Sequence, residues 1–345
     1  MKQRRASILV VVLFVMVVLS MLAMSFAYRA ALESRSCGNR AVMAQLKAQA
    51  ASAAYIAMGR LAENTNDYDH LSEPWREHDR LASEGWLAEW SDGGPDREPV
   101  FVADYQVIDE EGKLNVLYAS SESLEKLGLS PTQINSLFDW MDADHNARPD
   151  GAENDYYLMQ PAPHQSKNAP LQVLDELSMI RGFASRDVSG EDADHDRSLD
   201  EGENDGFATA PPDNADGDLK LGCIDLLTCV GNGRLNLNTA PLQVLQTLPL
   251  SDGAARQIAA FVAFGSSSKG SVDDHVFRSA ADIEQLQGLT DADREVLTGL
   301  AIFKSQHFRI FAQAVHRTTK LRCQVEVLVR MNDQGPQILQ WKAGG

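Results

Sequence analysis

The sequence predicts an α+β fold in which a long N-terminal helix packs on an antiparallel sheet and a helical domain is inserted between the strands. Three observations lead to this prediction. The first seventy-three residues contain no proline and begin with an uncharged apolar run. Strand-like alternation occurs near Val100 and in roughly the last forty residues, whereas the chain between these regions has helical periodicity. Helices and strands are thus segregated, unlike the regular alternation of a parallel α/β sheet.

The N-terminal segment has the composition of a membrane span. A basic head at residues 2–5 is joined to an apolar run over residues 6–27. About 20 apolar residues in a helix cross the roughly 30 Å hydrocarbon layer, and basic residues before a span favour a cytoplasmic N-terminus. We therefore expect the rest of the chain to lie outside the cytoplasm. A cleaved signal peptide is the alternative, because Ser25 and Ala27 form an acceptable cleavage site.

Helical patterning continues beyond this run, which favours a retained helix over a signal peptide. Apolar residues recur at spacings of three and four in the continuation: Val42, Leu46, Ala50, Ala53, Ala57 and Leu61. A single helix from Ala6 to Glu63 would be roughly 85 Å long. We expect its half over residues 7–27 to lie in lipid and its continuation over residues 28–65 to bury one apolar stripe.

Composition limits the classes of partner. The 345 residues are 44% hydrophobic, which is enough for a sizeable core, and the formal net charge of -18 disfavours nucleic acid and favours cations. None of the four cysteines forms a Cys-x-x-Cys pair, so a thiolate metal site is not expected. Cys223 and Cys229 could form a disulfide in an oxidising compartment, or they could be two buried free thiols.

Four segments alternate as strands with one buried face do. They cover residues 100–108, 307–315, 321–331 and 337–341. The last three follow one another closely, so we expect antiparallel neighbours. A sheet domain would then combine residues 66–111 with residues 304–345, and residues 112–303 would form the inserted helical domain.

Helical periodicity in this insertion covers residues 171–180, 241–248, 254–264 and 280–303. Two similar segments, residues 112–116 and 233–241, each predict a turn that runs into a short extended piece. We expect Asn238 or Thr239 to cap the helix that begins near Pro241. Helices 241–248 and 254–264 resemble a helix-hairpin-helix, but Asp252 in the turn disfavours binding to DNA phosphate.

An acidic pattern occurs twice in the insertion. In the twelve-residue calcium loop, oxygen ligands come from positions 1, 3, 5, 7, 9 and 12, position 7 through its carbonyl. The first copy supplies Asp142, Asp144, Asn146, the carbonyl of Arg148, Asp150 and Glu153, with Asp155 close behind. The second copy supplies Asp192, Asp194, Asp196, the carbonyl of Ser198, Asp200 and Glu203. The sequence therefore predicts Ca²⁺ at both loops.

Both copies depart from a regular EF-hand, because Ala147 and Arg197 replace the glycine that the loop prefers at position 6. A solvated acidic loop is the alternative for each copy. A third acidic segment, residues 213–218, could complete one of these sites or form a hydrophilic turn. Magnesium is disfavoured because it demands compact octahedral geometry.

Signals for catalysis are weak. Ser266 and Lys269 match Ser-x-x-Lys, but they lie in a Ser/Gly-rich loop and lack the companion motifs. The histidines do not form the His-Glu-x-x-His pattern of a zinc site. We expect no enzyme. The alternatives are a pilin-like competence protein, a membrane-anchored module that binds calcium or DNA, and a membrane-anchored hydrolase.

Three features together resemble a known family. They are the basic head with its apolar helix, the acidic motif over residues 139–144 and 151–157, and residues 235–241, Leu-Asn-Leu-Asn-Thr-Ala-Pro. With these features the chain resembles, over nearly its whole length, the minor pseudopilin K family of bacterial type II (general) secretion systems. The acidic motif is the most specific of the three.

The resemblance implies a pilin-like fold with structural calcium sites, anchored in the inner membrane with its folded part in the periplasm. It also implies a place at the pseudopilus tip, with the minor pseudopilins I and J as partners, where the protein helps to start assembly. Prepilin peptidase would cleave between Ala6 and Ser7, leaving a mature, methylated N-terminus. Ala6 stands where the family usually has glycine. Val11 stands where ordinary pilins carry a glutamate, and this difference fits a tip subunit.

Overall fold

The N-terminal region of the computed structural model is one continuous helix, α1 (Gln3–Glu63), which confirms the predicted long helix. The structure describes residues 3–76, 101–192, 199, 204–206, 213, 215–251, 253–267 and 275–344. Over residues 9–40 every side chain of α1 is exposed, whereas Leu46, Ala50 and Ala57 are fully buried. An 18-residue window in this helix has a mean hydropathy of 2.9, so the helix is apolar and long enough to cross a membrane.

The sheet has four antiparallel strands in the order β1-β6-β7-β8. With elements numbered in chain order, these are β1 (Phe101–Asp109), β6 (His307–His316), β7 (Arg322–Asn332) and β8 (Gly335–Gly344). The four predicted strands therefore exist, and the three C-terminal strands pair as expected. The chain before the insertion meets the chain after it because β1 pairs with β6, with Tyr105 opposite Ala312.

The core between α1 and the sheet follows directly from the two periodicities. Alternate residues of β7, such as Val325, Val327 and Val329, point to the helix and are buried. On the helix, Ala50, Ala53, Ala54 and Ala57 form the facing stripe. Alanine at these positions allows the helix backbone to approach the sheet closely, and it also has the highest helix propensity. Trp75 packs edge-on to Phe308 and closes one end of this core.

The chain between β1 and β6 forms short helices and two-residue strands. Its helices are α2 (Ser121–Lys126), α3 (Pro131–Met141), α4 (Asn154–Tyr157), α5 (Ser185–Ser189), α6 (Cys223–Leu226), α7 (Leu242–Leu245), α8 (Ala254–Ser267), α9 (Ala280–Gln285) and α10 (Asp291–Leu300). Its strands are β2 (Leu114–Asn115), β3 (Leu227–Thr228), β4 (Leu235–Asn236) and β5 (Ala301–Ile302), paired as β2 with β3 and β4 with β5, both parallel. Leu174–Met179 is a 3-10 helix.

Three helix predictions differ from the structure in detail. The segment over residues 171–180 forms only the 3-10 helix, and that over residues 241–248 forms only the single turn α7. The segment over residues 280–303 is divided into α9 and α10 because Gly288 adopts a φ of 86° between them, a conformation that favours glycine. Apolar periodicity does not detect such a break.

The two segments noted as similar, residues 112–116 and 233–241, begin equivalent arrangements. Each continues through a two-residue strand, a short helix and a longer helix: β2, α2 and α3 in the first, and β4, α7 and α8 in the second. Asn115 accepts a bond from the Leu117 backbone N–H, as Asn236 does from that of Asn238. Each arrangement has a hydrophobic core of its own, one including Leu137 and Trp140, the other Ile258 and Phe277.

The prediction that Asn238 or Thr239 caps a helix is wrong. The amide of Asn238 is bonded to the backbone of Phe277, and the Thr239 hydroxyl donates to Asp109 Oδ2 at 2.6 Å. Pro241 occupies the N-cap position of α7 without a side-chain bond. Both side chains therefore bond to residues distant in the sequence instead of capping α7. Through the bond from Thr239 to Asp109, this segment joins the sheet to the insertion.

Two buried polar clusters form the junction between the sheet and the insertion. In the first, Glu110 accepts from Lys113 Nζ at 2.7 Å, Arg309 Nε at 2.8 Å and Thr228 Oγ1 at 2.6 Å. The two cations hold the pKa of Glu110 well below its usual range, against the effect of burial. Arg309 also pairs with Glu326 of β7, so one guanidinium joins the sheet to the start of the insertion.

In the second cluster, Asp109 accepts from Ser305 Oγ and Thr239 Oγ1, both at 2.6 Å, and from Asn236 Nδ2 at 3.0 Å. Asp69 accepts from the Ser305 backbone N–H at 2.7 Å and from Lys304 Nζ at 2.9 Å. Burial raises the pKa of Asp109 from 3.8 to about 7 and that of Asp69 to about 6. Either hydroxyl on Asp109 can reverse to accept the single proton of the neutral carboxyl.

These raised pKa values predict that Asp109 and Asp69 contribute less to the stability of the folded protein as pH rises from about 4 to 7. In this window the folded state keeps the proton on Asp109 while the unfolded chain has lost it, so the free energy of unfolding falls by about 1.4 kcal/mol per pH unit for this group. Asp69 acts in the same direction up to about pH 6. We expect Asp109→Asn to flatten the profile, measured by urea unfolding of the detergent-solubilised chain. A slope equal to that of the natural protein would contradict this assignment.

Candidate metal centre

Helix α3 positions the first acidic loop. Ser130 and Gln133 form a capping box, and Pro131 occupies the first turn, where its missing N–H costs no helical bond. Leu137 and Trp140 anchor one face of the helix in the core. The helix ends at Met141, and Asp142 is its extended C-cap residue. The loop ligands therefore begin at a rigid, well-packed point.

Three of the predicted ligands converge. One carboxylate oxygen each of Asp142, Asp144 and Glu153 lies within 4.8 Å of the other two. Asp142 Oδ1 and Glu153 Oε1 are buried and have no hydrogen-bond partner among the described residues. A buried carboxylate oxygen without a partner is costly unless a cation or water satisfies it. Asp142 and Glu153 thus each add a buried oxygen without a partner to this group of converging carboxylates.

A fourth carboxylate, that of Asp139, supports this cluster from the α3 side and is fully buried. Arg148 bonds it through Nη1 at 2.8 Å and contacts Asp142 Oδ2 at 2.5 Å through the same nitrogen. The Arg148 backbone N–H also donates to Asp139. The guanidinium offsets part of the negative charge, but four carboxylates against one arginine leave a surplus that favours a divalent cation.

Gly151 is required for this arrangement. A Cβ at this position would lie 2.0 Å from Asp139 Oδ2 and 3.1 Å from the Arg148 carbonyl oxygen. The Gly151 N–H donates to that carbonyl at 2.9 Å, and its own carbonyl accepts from Arg181 Nη1 at 2.8 Å. The backbone therefore passes directly against the buried carboxylate, which only glycine permits.

A second loop holds the other side of the cluster. Ser166 Oγ donates to Glu153 Oε2 at 2.8 Å, and the Ser166 N–H donates to Asn154 Oδ1 at 2.8 Å. Asn168 Nδ2 donates to the Asp144 carbonyl at 2.7 Å. Sequence reasoning missed Ser166 and Asn168 because they lie outside the twelve-residue pattern. Their spacing, Ser-Lys-Asn after a proline-rich stretch, carries no recognisable signal.

Burial affects the chemistry of Glu153. Desolvation raises the pKa of this carboxyl, Ser166 opposes the rise, and the charges of Asp139 and Asp142 add to it. A bound divalent cation would reverse this balance by favouring the ionised form. The donor set consists of carboxylates with amide, hydroxyl and carbonyl groups close by, which are the hard ligands that Ca²⁺ prefers. The residues of the first loop therefore fit a calcium ion.

The remaining predicted ligands of this loop take other positions. The Asn146 N–H donates to Asp144 Oδ1 at 2.7 Å, and the Arg148 carbonyl accepts from Gly151. Asp150 is exposed and has a φ of 60°, whereas Asp155 is exposed in the short helix α4. Asp150 and Asp155 do not belong to the cluster of converging carboxylates, whereas Asn146 and the carbonyl of Arg148 stay predicted ligands.

Most of the second loop lies outside the described residues: Asp194, Asp196, Ser198, Asp200 and Glu203. Its first member, Asp192, is buried. The third acidic segment is partly described, and Asp213 accepts from the backbone N–H groups of Asp205, Gly206 and Ala215. These bonds lower the pKa of Asp213 against the effect of burial. Asp213 therefore acts as the anchor of a turn in the structure.

Two further predictions concern cysteines and catalysis. Cys223 and Cys229 are buried free thiols in the structure, and burial raises their pKa values to about 12 and about 11. Such thiols are neutral and unreactive at pH 7. The side chains of Ser266 and Lys269 lie outside the part of the chain that is described.

Comparison with known proteins gives one family model that matches part of the chain and one solved structure with a similar fold. Residues 119–189, which include α2, α3, the first acidic loop and α5, match the family model described as type II secretion system (T2SS), protein K. No curated protein matches the sequence. The fold is similar to that of a chain in the crystal structure of the GspK-GspI-GspJ complex of the type 2 secretion system of enterotoxigenic Escherichia coli. The TM-score is 0.52 at 16% identity, over 91% of this chain and 99% of that chain.

Gly151→Ala is expected to destabilise the protein by about 1 to 3 kcal/mol, because the added methyl must displace Asp139 or the Arg148 backbone. Urea unfolding of the natural protein and the variant measures this difference. Gly299→Ala in α10 is the matched control, since a Cβ there meets nothing within 4 Å and should stabilise the helix by up to about 1 kcal/mol. Equal stabilities for the two variants would contradict the close approach at Gly151.

Proposed function

We propose, since this chain belongs to the type II secretion protein K family of minor pseudopilins, that it forms the tip of the pseudopilus. There it would initiate assembly for protein export across the outer membrane. The minor pseudopilins I and J would be its partners, as GspI and GspJ are for GspK in the similar E. coli complex. The fold and family are those of a structural pseudopilin rather than of a known enzyme.

The observation that carries the proposal is the division of α1 into two parts. Residues 9–40 are exposed on all sides, and residues 9–27 among them are uncharged and almost all apolar. By contrast, the stripe from Leu46 to Leu61 is buried on the chain's own sheet. An apolar helix of this length is stable only in lipid or against other apolar surfaces. A helix that is stored in a membrane and later packs against similar helices is surrounded by apolar groups in both states.

The chain is a single-pass, membrane-anchored protein. For its topology, the basic head at residues 2–5 supports a cytoplasmic N-terminus and a folded part in the periplasm. Prepilin peptidase would remove the first six residues between Ala6 and Ser7. The mature helix would then begin at Ser7, directly in front of the apolar run.

Calcium would hold the surface of the insertion in one conformation. Asp142, Asp144 and Glu153 would bind the ion, and Ser166 would orient Glu153 through its hydroxyl. The ion would contribute charge compensation for the buried carboxylates. The loop that contains Ser166 and Asn168 is bonded to two of these residues, so binding would stabilise both loops together.

DNA capture, the function of a competence-type pilus module, is disfavoured by the contacts of the hairpin turn between α7 and α8. The Ser251 backbone N–H, which a phosphate would need, donates to Asp293 Oδ1 at 2.7 Å. The Ser251 hydroxyl donates to the other oxygen of the same carboxylate at 2.6 Å. A carboxylate therefore occupies the position where an anionic phosphate would bind.

Calcium is expected to raise the melting temperature of the detergent-solubilised chain relative to EDTA, because at a hundredfold excess over Kd a ligand adds about 2.7 kcal/mol to the unfolding free energy. Glu153→Gln keeps the size of the side chain but removes its charge, and should reduce the shift. Glu122→Gln, at an exposed position of α2, should leave it intact. Glu203→Gln tests the second loop in the same way. A full shift in both Glu153→Gln and Glu203→Gln would assign the metal elsewhere.

The partner proposal predicts that the full-length chain co-purifies with the I and J minor pseudopilins when the three are co-expressed and extracted in mild detergent. The physical reason is that separate apolar helices bury surface only against one another once they leave lipid. Size-exclusion chromatography measures the complex. If the three proteins elute separately under conditions in which each is folded, the proposed assembly role is wrong.

A further inference from the structure

Basic side chains are concentrated in two short segments of this acidic chain. Four follow the apolar run of α1, and three lie at the turn between β6 and β7: Arg29, Arg35, Arg40, Lys47, Arg317, Lys320 and Arg322. Glu33 is the only acidic residue in residues 28–50 or 316–322, although the whole chain has a net charge of -18. All of these basic side chains except Arg317 are exposed. The charge of the chain is therefore unevenly distributed.

The β6–β7 turn lies at the end of the sheet that is nearer to the membrane span. At the other end of the sheet, Leu61 of α1 lines one open cavity together with Phe308 and Met331. Near the turn, burial raises the pKa of the Cys323 thiol, and the charge of Lys47 opposes the rise, so Lys47 lies close to the start of β7. Because Lys47 precedes Leu61 along α1, the turn faces the lipid. The insertion leaves and rejoins the sheet at the opposite end.

The basic residues of α1 lie on the side of the helix that faces the sheet. At about 100° per residue, Arg29, Arg40 and Lys47 fall within about 20° of one another. With Arg35, they lie within about 100° of the centre of the stripe that packs on the sheet. The opposite side of the same segment carries small uncharged residues: Ala30, Ser34, Cys37 and Ala41. The basic side chains are thus collected beneath the sheet, between its β6–β7 turn and the end of the span.

These side chains lie at heights that lipid headgroups can reach. Arg29 is about 3 Å beyond residue 27, Arg35 about 12 Å and Arg40 about 20 Å, by the helical rise. The headgroup layer extends about 5 to 8 Å beyond the hydrocarbon, and charges act over a further Debye length of about 8 Å. Membrane helices tilt by about 0 to 40°, and a tilt toward the sheet lowers the β6–β7 turn. The turn then approaches the same headgroups as Arg29 and Arg35.

No internal counter-charge accounts for these cations. Within the part of the chain that the structure describes, the six exposed ones form no ion pair with a carboxylate: Arg29, Arg35, Arg40, Lys47, Lys320 and Arg322. We call these six residues the basic end. Cations gathered on one surface repel one another unless an anionic surface lies opposite. An anionic bilayer repels the acidic remainder of the chain, so the basic end is the part that can approach it.

We propose that the basic end binds the phosphate groups of anionic phospholipids in the leaflet that faces the folded part, and so holds α1 tilted toward its own sheet. The proposal rests on the membrane anchoring of α1 and goes beyond the role at the pseudopilus tip. A bilayer is the anionic surface that the span itself places beside these residues. The interaction also directs the acidic insertion away from the membrane, because the insertion lies at the other end of the sheet.

The first test measures lipid preference. The full-length chain alone is reconstituted in phosphatidylcholine bilayers that contain spin-labelled phosphatidylglycerol or spin-labelled phosphatidylcholine, and the fraction of motionally restricted label is compared. Phosphatidylglycerol should be preferred by about threefold, and the preference should disappear in about 1 M salt, where the Debye length is about 3 Å. No preference in the natural protein would show that the lipid proposal is wrong and would leave the basic end to an acidic protein partner.

Two triple variants with the same change of charge locate the effect. Arg40→Gln, Lys320→Gln and Arg322→Gln together should remove more than half of the preference. Arg186→Gln, Arg234→Gln and Arg256→Gln together are the matched control, because these three arginines are exposed in the insertion. The control should keep the full preference. Melting curves establish that both variants are folded, and equal preferences in the two variants would overturn the proposal.

The second test measures how near the β6–β7 turn comes to the lipid. Cys37→Ser removes the exposed thiol, and the three remaining cysteines are buried, so a fluorophore attaches to an introduced cysteine. Thr318→Cys labels the turn, and Thr298→Cys labels an equally exposed site in α10. A quencher on the lipid headgroup should quench the label at position 318 about twofold more strongly when phosphatidylglycerol is present. The label at position 298 should not respond.

Equal quenching at position 318 with and without phosphatidylglycerol would show that the turn does not approach the lipid. The result is independent of the proposed function, because these bilayers contain neither the I nor the J pseudopilin. Lipid binding without a complex with I and J would leave this proposal standing and the assembly role wrong. A complex with I and J without lipid preference would give the reverse.

Discussion

The fold depends on one buried ionic interaction, that of Glu110 with Arg309 and Lys113. Glu110 lies where the chain leaves β1 for the insertion, and Arg309 lies in β6, where the chain has returned to the sheet. All three charged groups are almost fully buried. Loss of Glu110 would leave two cations without their shared counter-ion in the interior, at a cost of about 3 to 5 kcal/mol. The Glu110–Arg309 pair thus joins the two ends of a long insertion at one point.

Asp109, the adjacent residue, extends this junction by hydrogen bonds rather than by charge. Its partners Thr239 and Asn236 come from the middle of the insertion, and Ser305 comes from its end. Three distant parts of the chain therefore meet around one carboxylate. The orientation of the insertion relative to the sheet is set by directional bonds, which explains how a separate helical core can be held in a defined position.

The long helix serves two purposes through two faces. Its alanine-rich stripe is used by the chain's own sheet, and the opposite stripe is left exposed with small residues. The same preference for small side chains allows close packing on both sides.

The acidic loop is a separate feature at the C-terminal end of α3. There a core helix brings carboxylates together, and a second loop restrains Glu153. Rigid packing in the core thus supports each surface that the proposed assembly would use.

The sequence by itself determined the elements that depend on periodicity. The long helix α1 and the four strands of the sheet follow from spacings of three to four and of two, because these patterns record which side faces the core. It also predicted Asp142, Asp144 and Glu153 as metal ligands, since ligand spacing within one loop is local information, and the structure brings their carboxylates together. The family resemblance followed from the same local motifs.

Only the tertiary structure decided how distant polar side chains are used. Thr239 bonds Asp109 instead of capping α7, and Ser166 and Asn168 complete the acidic cluster from a different loop. Gly288 breaks a segment whose apolar pattern is continuous. In each case the deciding contact joins groups far apart in the chain or depends on a single backbone angle. Such contacts and angles produce no periodic pattern in the sequence. Hydrogen-bond partners depend on which groups lie close together in the folded chain.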